Sequence, residues 1–227
     1  MSVVLAIPSK GRLMEATASL LEAAGAAITR AGTDRGYRGA LSGLPGISVA
    51  FLSASEIAQQ LREGKIDAGV TGEDLLRETI APTDESVAIA LRLPFGPADV
   101  VVAVPACWLD VASMADIDEV AEQFYRAHGR RLRVATKYRN LTRRFFAEKG
   151  VTGYRIVESA GATEGAPAAG SAELIVDITT TGATLAANHL RVLDDGVLLK
   201  SCAVLAVRQK SPALDGLLSR LKAHLNH

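Results

Sequence analysis

ELIVDITTTGATL, residues 173–185, runs from an acid through a buried-strand pattern that stops at Asp177, then passes Thr179, Thr180, Thr181 and Gly182 into a helix start at Ala183 and Thr184. A strand that ends on an acid, turns through threonines and glycine and enters a helix is half of an α/β unit. The turn also suits a phosphate. Gly182 lets the backbone come close, first-turn amides have no helical acceptor, and threonine hydroxyls add donors without adding charge. Asp177 beside it can accept hydrogen bonds from ribose hydroxyls or hold a Mg²⁺ that bridges a pyrophosphate. An ordinary capped helix after a strand with an exposed aspartate would give similar letters. Four threonines, at 179, 180, 181 and 184, around one glycine favour the phosphate.

Outward from this turn, short Val- and Ile-rich runs alternate with helical patterns nearly throughout, which predicts an α/β protein built on mostly parallel sheets. Strands are expected at 3–7, 47–52, 66–70, 88–93, 100–104, 132–135, 155–157, 174–177 and 197–207. Leucines and alanines recurring at three and four residues predict helices over 13–24, 54–63, 116–128, 141–149 and 214–224. Ser53 or Ser55 caps the second of these, and Asn140 the fourth, with Arg143 and Arg144 on its outer face. The segment LRLPFGPADVVVAVP, residues 91–105, places three prolines and a glycine between apolar strands, as a crossing between two lobes does. The expected division is a first lobe of 1–92 plus 186–227 and a second lobe of 93–185 that carries the threonine-glycine turn.

The bulk properties narrow the partners. The 227 residues are 48% apolar, enough for one good core or two small ones, and 25 acidic residues balance 25 basic ones. No whole-molecule field exists to attract nucleic acid or an anionic membrane, so any anion must be caught locally. Cys107 and Cys202 lie far apart in unrelated contexts, which fits reduced thiols better than a disulfide framework or a zinc site. The opening MSVVLAIPSKGR has no basic leader, and Pro8 and Lys10 end its apolar run too early for a membrane span. It reads as a first strand, and the protein as cytoplasmic. Histidines 128, 189, 224 and 227 show no metal spacing, and no serine, cysteine or threonine has a nucleophile setting.

Basic residues follow two of the strands. Lys10 and Arg12 flank Gly11 at the end of the first strand, where α/β proteins keep ligands, and two cations there suggest a polyphosphate. In ATKYRN, Lys137 and Arg139 follow a strand of the second lobe, and phosphate contact and surface solvation explain them equally well. Glu73 and Asp74 in TGEDLL are accounted for by the dipole of the helix they begin. IDAGVTGEDLL, residues 66–76, also runs from a strand through Thr-Gly into a helix, like the turn after 177.

SKGRL (9–13), VTGEDLL (70–76), LPFGPADVVVAVP (93–105), ATKYRNLTRRFF (135–146), ESAGATEGAPAAG (158–170) and ELIVDITTTGATL occur in one order. Together they resemble the ATP phosphoribosyltransferase family, in its short form, over nearly the whole chain. The resemblance implies a two-lobed, type II periplasmic-binding-protein-like fold with the active site in the cleft. It implies transfer of a phosphoribosyl group from phosphoribosyl pyrophosphate to the adenine N1 of ATP, with Mg²⁺ present and pyrophosphate leaving. Carried over residue by residue, Thr179, Thr180, Thr181, Gly182, Ala183 and Thr184 take the 5′-phosphate, and Asp177 faces the ribose or the metal. Glu164, in SAGATE, binds a ribose hydroxyl, and Arg12 neutralises the departing pyrophosphate with Lys10 and Gly11 beside it. By residue type alone, Asp34, Arg35, Tyr37 and Arg38, within TDRGYRG, suit a second cationic wall with an aromatic face for ATP. Many members carry an arginine near Ser53 that FLSASEI lacks, so Arg35 or Arg38 is expected to compensate.

Longer members add a C-terminal histidine-sensing domain, for which the sequence after about 207 leaves no room. The resemblance therefore implies a regulatory partner related to histidyl-tRNA synthetase and a hetero-oligomer. Two rivals remain at this point. A two-lobed ligand-binding module would use the turn to hold an anion without chemistry, but would not explain Asp177 and Glu164 together. A base-salvage phosphoribosyltransferase usually shows two adjacent acids before the loop, and here Ile178 follows Asp177.

Overall fold

A computed structural model describes residues 2–30, 38–159, 161–208 and 211–225. The chain opens with β1 (Val3–Pro8), α1 (Gly11–Ala23), β2 (Ile28–Arg30), β3 (Arg38–Leu41), β4 (Ile47–Leu52), α2 (Ala54–Glu63), β5 (Ala68–Gly72), α3 (Glu73–Thr79) and β6 (Ala88–Arg92). It continues through β7 (Ala98–Pro105), α4 (Met114–His128), β8 (Leu132–Thr136), α5 (Arg139–Glu148), β9 (Tyr154–Glu158), a 3₁₀ turn at Thr163–Gly165, β10 (Leu174–Thr179), α6 (Ala183–Ala187) and β11 (Leu190–Ser201). β12 (Ala203–Val207) and α7 (Pro212–Leu225) close it. Two compact units result, Met1–Pro97 with Cys202–His227, and Ala98–Ser201.

In the first unit the sheet order is β2-β3-β4-β1-β5-β12-β6, with β4, β1 and β5 parallel and the flanking pairs antiparallel. Successive side chains of a strand point to opposite faces, and β1 uses both. Leu5 and Ile7 pack with Leu21 of α1 and Leu214, Leu217 and Leu221 of α7, while Ala6 packs with Ile57 and Leu61 of α2 and Leu76 of α3. That double burial is why the run VVLAIP reads as continuously apolar. Helix α2 starts where Ser53 accepts from the Glu56 amide at 3.3 Å and the Glu56 carboxylate accepts from the Ser53 amide at 2.8 Å. It ends at Gly64, whose φ of 69° closes the last turn.

The second unit has the order β11-β7-β10-β8-β9, with β10, β8 and β9 parallel and β7 and β11 antiparallel. Val101, Ala103, Ala135 and Ile175 meet Leu185 and Leu190 on one side of this sheet. The first sheet is parallel only at its centre and the second only on the side of β10, β8 and β9, which qualifies the expectation of mostly parallel strands.

The expected strand at 197–207 is two strands. β11 forms a ladder with β7 from Leu190 opposite Pro105 to Ser201 opposite Ala98, whereas β12 pairs with β5 and β6. The return to the first unit therefore falls at Cys202 rather than at 186, because moving 190–201 would strip the backbone bonds of β7. The first crossing falls after Pro97 rather than after 92. β2 and β3 escape a sequence reading because they are short, and RGAL lacks β-branched residues. Among the described residues, no helix is long and apolar enough to cross a membrane.

Candidate active site

The parallel register of the second unit sets the site. Leu174 lies opposite Val134 and Ile175 opposite Ala135, so continuing the offset brings Asp177 level with Lys137 at the carboxyl ends of two neighbouring strands. Lys137 Nζ stands 3.9 Å from Asp177 Oδ1, which also accepts from the Ile178 amide at 2.8 Å. The Asp177 side chain is 15% exposed. Burial pushes its carboxyl above the usual range; Glu164 adds to the rise, and the Ile178 amide and Lys137 oppose it. Glu164 arrives from the 3₁₀ turn behind Ala162, a non-glycine residue at φ 45°. Asp177 and Glu164 line one pocket of about 340 Å³ with Thr179, Thr180, Thr181 and Thr184.

Gly182 caps α6 at φ 75°, a conformation that costs L side chains about 1–2 kcal/mol. A Cβ there would meet no atom within 4 Å, so the backbone angle alone calls for glycine. Two amides of the turn are held internally: Gly182 N–H donates to Thr179 Oγ1 at 2.9 Å, and Ala183 N–H to Thr181 Oγ1 at 3.3 Å. Each of those hydroxyls still has its own proton to donate, so the donor is relayed outward rather than lost. Among the described residues, nothing accepts from the amides of Thr180 or Thr181, and Thr184 and Leu185 lie in a first turn with no helical acceptor and no acid.

The second strand-Thr-Gly-helix turn shows what such a turn looks like without an anion site. After Gly72, α3 begins with Glu73 and Asp74, both buried. Glu73 accepts from Arg77 Nε at 2.7 Å and from Arg92 Nη2 at 2.8 Å. Burial pushes its carboxyl up, but the bonds from Arg92 and Arg77 outweigh that and hold it below the usual range. The first turn of α3 is thus filled by the chain's own acids, whereas that of α6 is left for something else. The dipole reading of Glu73 missed Arg92, nineteen residues away in sequence.

Lys10 caps α1 with an extended backbone and no side-chain bond, Gly11 opens the helix at φ 77°, and Arg12 follows; all three are exposed on the first unit. Arg38 is exposed on β3, opposite Ala50. Arg35, with Asp34 and Tyr37, lies outside the described residues. Ser53 is the α2 cap. Of the ATKYRN residues, Tyr138 is buried with Lys137 5.0 Å above its ring, and Arg139 meets Glu158 at 3.2 Å. Lys137, left open by the sequence, therefore joins the Asp177 site. The signal that could have found it is a cation directly after a strand parallel to β10. Among the described residues, no group of three His, Cys, Asp or Glu side chains could hold a metal.

A protein of two α/β units with this strand order is a two-lobed protein of the type II periplasmic-binding-protein class. The arginine-, lysine-, histidine-binding protein ArtJ from Geobacillus stearothermophilus shares the fold, with TM-score 0.54 and 12% identity over 100% of this chain and 90% of its own. The ATP phosphoribosyltransferase family profile matches residues 53–227. The ATP phosphoribosyltransferase of Chelativorans sp. (strain BNC1) is 61% identical over 227 residues, 99% of this chain and 97% of that one. A chain of the ATP phosphoribosyl transferase (HisG:HisZ) complex from Thermotoga maritima superimposes with TM-score 0.74 and 27% identity, over 99% of both chains. This chain belongs to the ATP phosphoribosyltransferase family.

Proposed function

We propose that the pocket of the second unit takes phosphoribosyl pyrophosphate in the reaction of that family. The adenine N1 of ATP attacks the anomeric carbon, pyrophosphate leaves, and N1-phosphoribosyl-ATP forms as the first step of histidine biosynthesis. The observation that carries the reading is the Gly182-capped turn, whose acid-free first turn opens into the same pocket as Asp177 and Glu164. The 5′-phosphate takes the amide and hydroxyl donors between Thr179 and Thr184. Asp177 and Glu164 accept from the ribose hydroxyls.

The electron bookkeeping asks little of the protein. The N1 lone pair forms the new C–N bond, and the C–O pair leaves on pyrophosphate, through a ribosyl cation-like state. No general base is needed for bond formation. Two carboxylates beside the ribose favour positive charge on the sugar, and Arg12 with Lys10 is assigned the negative charge of the leaving group. Arg38, and Arg35 beyond the described residues, are assigned to ATP. Lys137 keeps the buried Asp177 charge partly balanced until substrate arrives. Mg²⁺ fits a donor set of one or two carboxylates, because it usually keeps water and substrate phosphate oxygens as its other ligands. When bound, it neutralises pyrophosphate charge.

The T. maritima relative is a HisG:HisZ complex, which supports a hetero-oligomer of this chain with a regulatory subunit. The sequence resemblance makes that subunit a relative of histidyl-tRNA synthetase. Pyrophosphate release from ATP plus phosphoribosyl pyrophosphate, with and without that subunit, tests the reading. Activity that Asp177→Ala abolishes is expected; normal turnover in Asp177→Ala would remove the site assignment.

A further inference from the structure

The arginines of the second unit differ in whether the protein supplies them with a partner. Arg130 and Arg133 share Glu173, Arg139 meets Glu158, Arg126 meets Glu122, and Arg191 donates to the carbonyls of Trp108 and Val111. Arg131, Arg143 and Arg155 make no hydrogen bond or ion pair among the described residues, and all three line one pocket of about 470 Å³. No carboxylate lines it. The neighbouring pocket shares Arg131 and holds Asp118 and Glu122, but Glu122 is engaged by Arg126 and Asp118 accepts from the Thr152 amide.

Three like charges lining one space repel each other, and among the described residues no carboxylate shares that lining; Asp118 stands only in the adjoining pocket, beside Arg131. Guanidinium groups present fixed forks of N–H donors that match phosphate oxygens, so an anion with several oxygens is the ligand such a space selects. Tyr154 and Ile156 also line it. Burial pushes the Tyr154 phenol up against the opposing charge of Arg143, so it remains a donor at neutral pH.

The pocket is not the sugar-phosphate site. Arg131 precedes β8, and Tyr154 and Arg155 open β9, whereas Lys137 and Asp177 stand at the far ends of β8 and β10. Six residues of extended chain separate Arg131 from Lys137, about 20 Å at 3.3 Å per residue. We infer that this pocket is a second anion site, for a small metabolite bearing a diphosphate or longer phosphate chain, and that it is independent of the substrate pocket.

The test is calorimetric titration of the full chain with inorganic tripolyphosphate, in parallel with Gly182→Val and the double variant Arg143→Ala/Arg155→Ala. Wild type is expected to show a binding event that survives Gly182→Val and weakens at least tenfold in the double variant. The phosphoribosyl pyrophosphate binding event that Gly182→Val weakens should be unchanged in that variant. The pair Arg143→Lys/Arg155→Lys, which retains charge without the forks, is expected to bind between the two and serves if the alanine pair fails to fold. Titration of the arginine variants like wild type, or no event surviving Gly182→Val, overturns the inference. Failure of the proposed function would appear separately, as wild type that does not bind phosphoribosyl pyrophosphate.

Discussion

Glu173, at the root of β10, offers a stability measurement with a computable size. Its carboxylate accepts from the Arg133 amide at 2.7 Å, from Arg133 Nη2 at 2.6 Å and from Arg130 Nη2 at 3.1 Å. Burial pushes the carboxyl up, but the bonds from Arg133 and Arg130 outweigh it and bring it down to about 2 from an ordinary 4.5. With the side chain only 12% exposed, solvent screens the pair little. A depression of that size contributes roughly 3 kcal/mol to folding at pH 7. The contribution is complete above the unfolded value of 4.5 and drains away as pH falls towards the folded value of about 2. At pH 3 roughly 1 kcal/mol is left. Glu173→Gln keeps the shape and removes the charge, so its deficit in urea unfolding free energy should be about 3 kcal/mol at pH 7 and pH 5 and should narrow at pH 3. Its kcat should stay near wild type. A deficit below about 1 kcal/mol at pH 7, or one of equal size at pH 3, would refute the ion-pair account.

Other outcomes follow from the same geometry. Asp177→Asn should abolish phosphoribosyl transfer while raising the thermal midpoint of the ligand-free chain at pH 7. Because the folded carboxyl titrates above its unfolded value, wild type loses stability as pH rises from the unfolded value through the folded one, and the asparagine variant does not. Gly182→Val should cost about 2 kcal/mol through the left-handed backbone and weaken phosphoribosyl pyrophosphate binding at least tenfold, read by calorimetry, with circular dichroism unchanged. Glu73→Gln strips Arg77 and Arg92 of their shared carboxylate and should destabilise by about 2 kcal/mol in urea, with no change in KM for phosphoribosyl pyrophosphate.

What could be read without coordinates tracks how local its cause is. β4 and α2 are found at their expected bounds because an uninterrupted apolar run and a Ser53–Glu56 box are complete signals over a few residues. The turn after Asp177 was legible for the same reason, since strand, threonines, glycine and helix follow one another directly. The break at Cys202 was not, because 197–207 is one apolar stretch whose halves differ only in their ladder partners, β7 for one and β5 and β6 for the other. Lys137 needed the parallel register of β8 and β10 to become a neighbour of Asp177, and Glu73 needed β6 to bring Arg92. Long-range pairing decides such residues, and a single sequence does not print it.

β10 carries two carboxylates, Glu173 just before its first residue and Asp177 near its end, with side chains 12% and 15% exposed. Nearly equal burial gives opposite results, one carboxyl lowered to about 2 and the other raised. Burial raises both carboxyls; at the root the partners outweigh it, and at the tip they do not. Two arginines and a backbone amide close around the root, while the tip has a backbone amide, one lysine 3.9 Å away and a second acid in the same pocket. A strand fixed at its base can hold an under-compensated acid at its end without moving to relieve it, which is the condition for a preorganised site. The compensation missing from the tip is what a cationic or hydroxyl-rich ligand brings. On this account, adding a guanidinium beside Asp177 would stabilise the protein and disable the enzyme together, because it would supply from the chain what the ribose hydroxyls of the proposed substrate would supply.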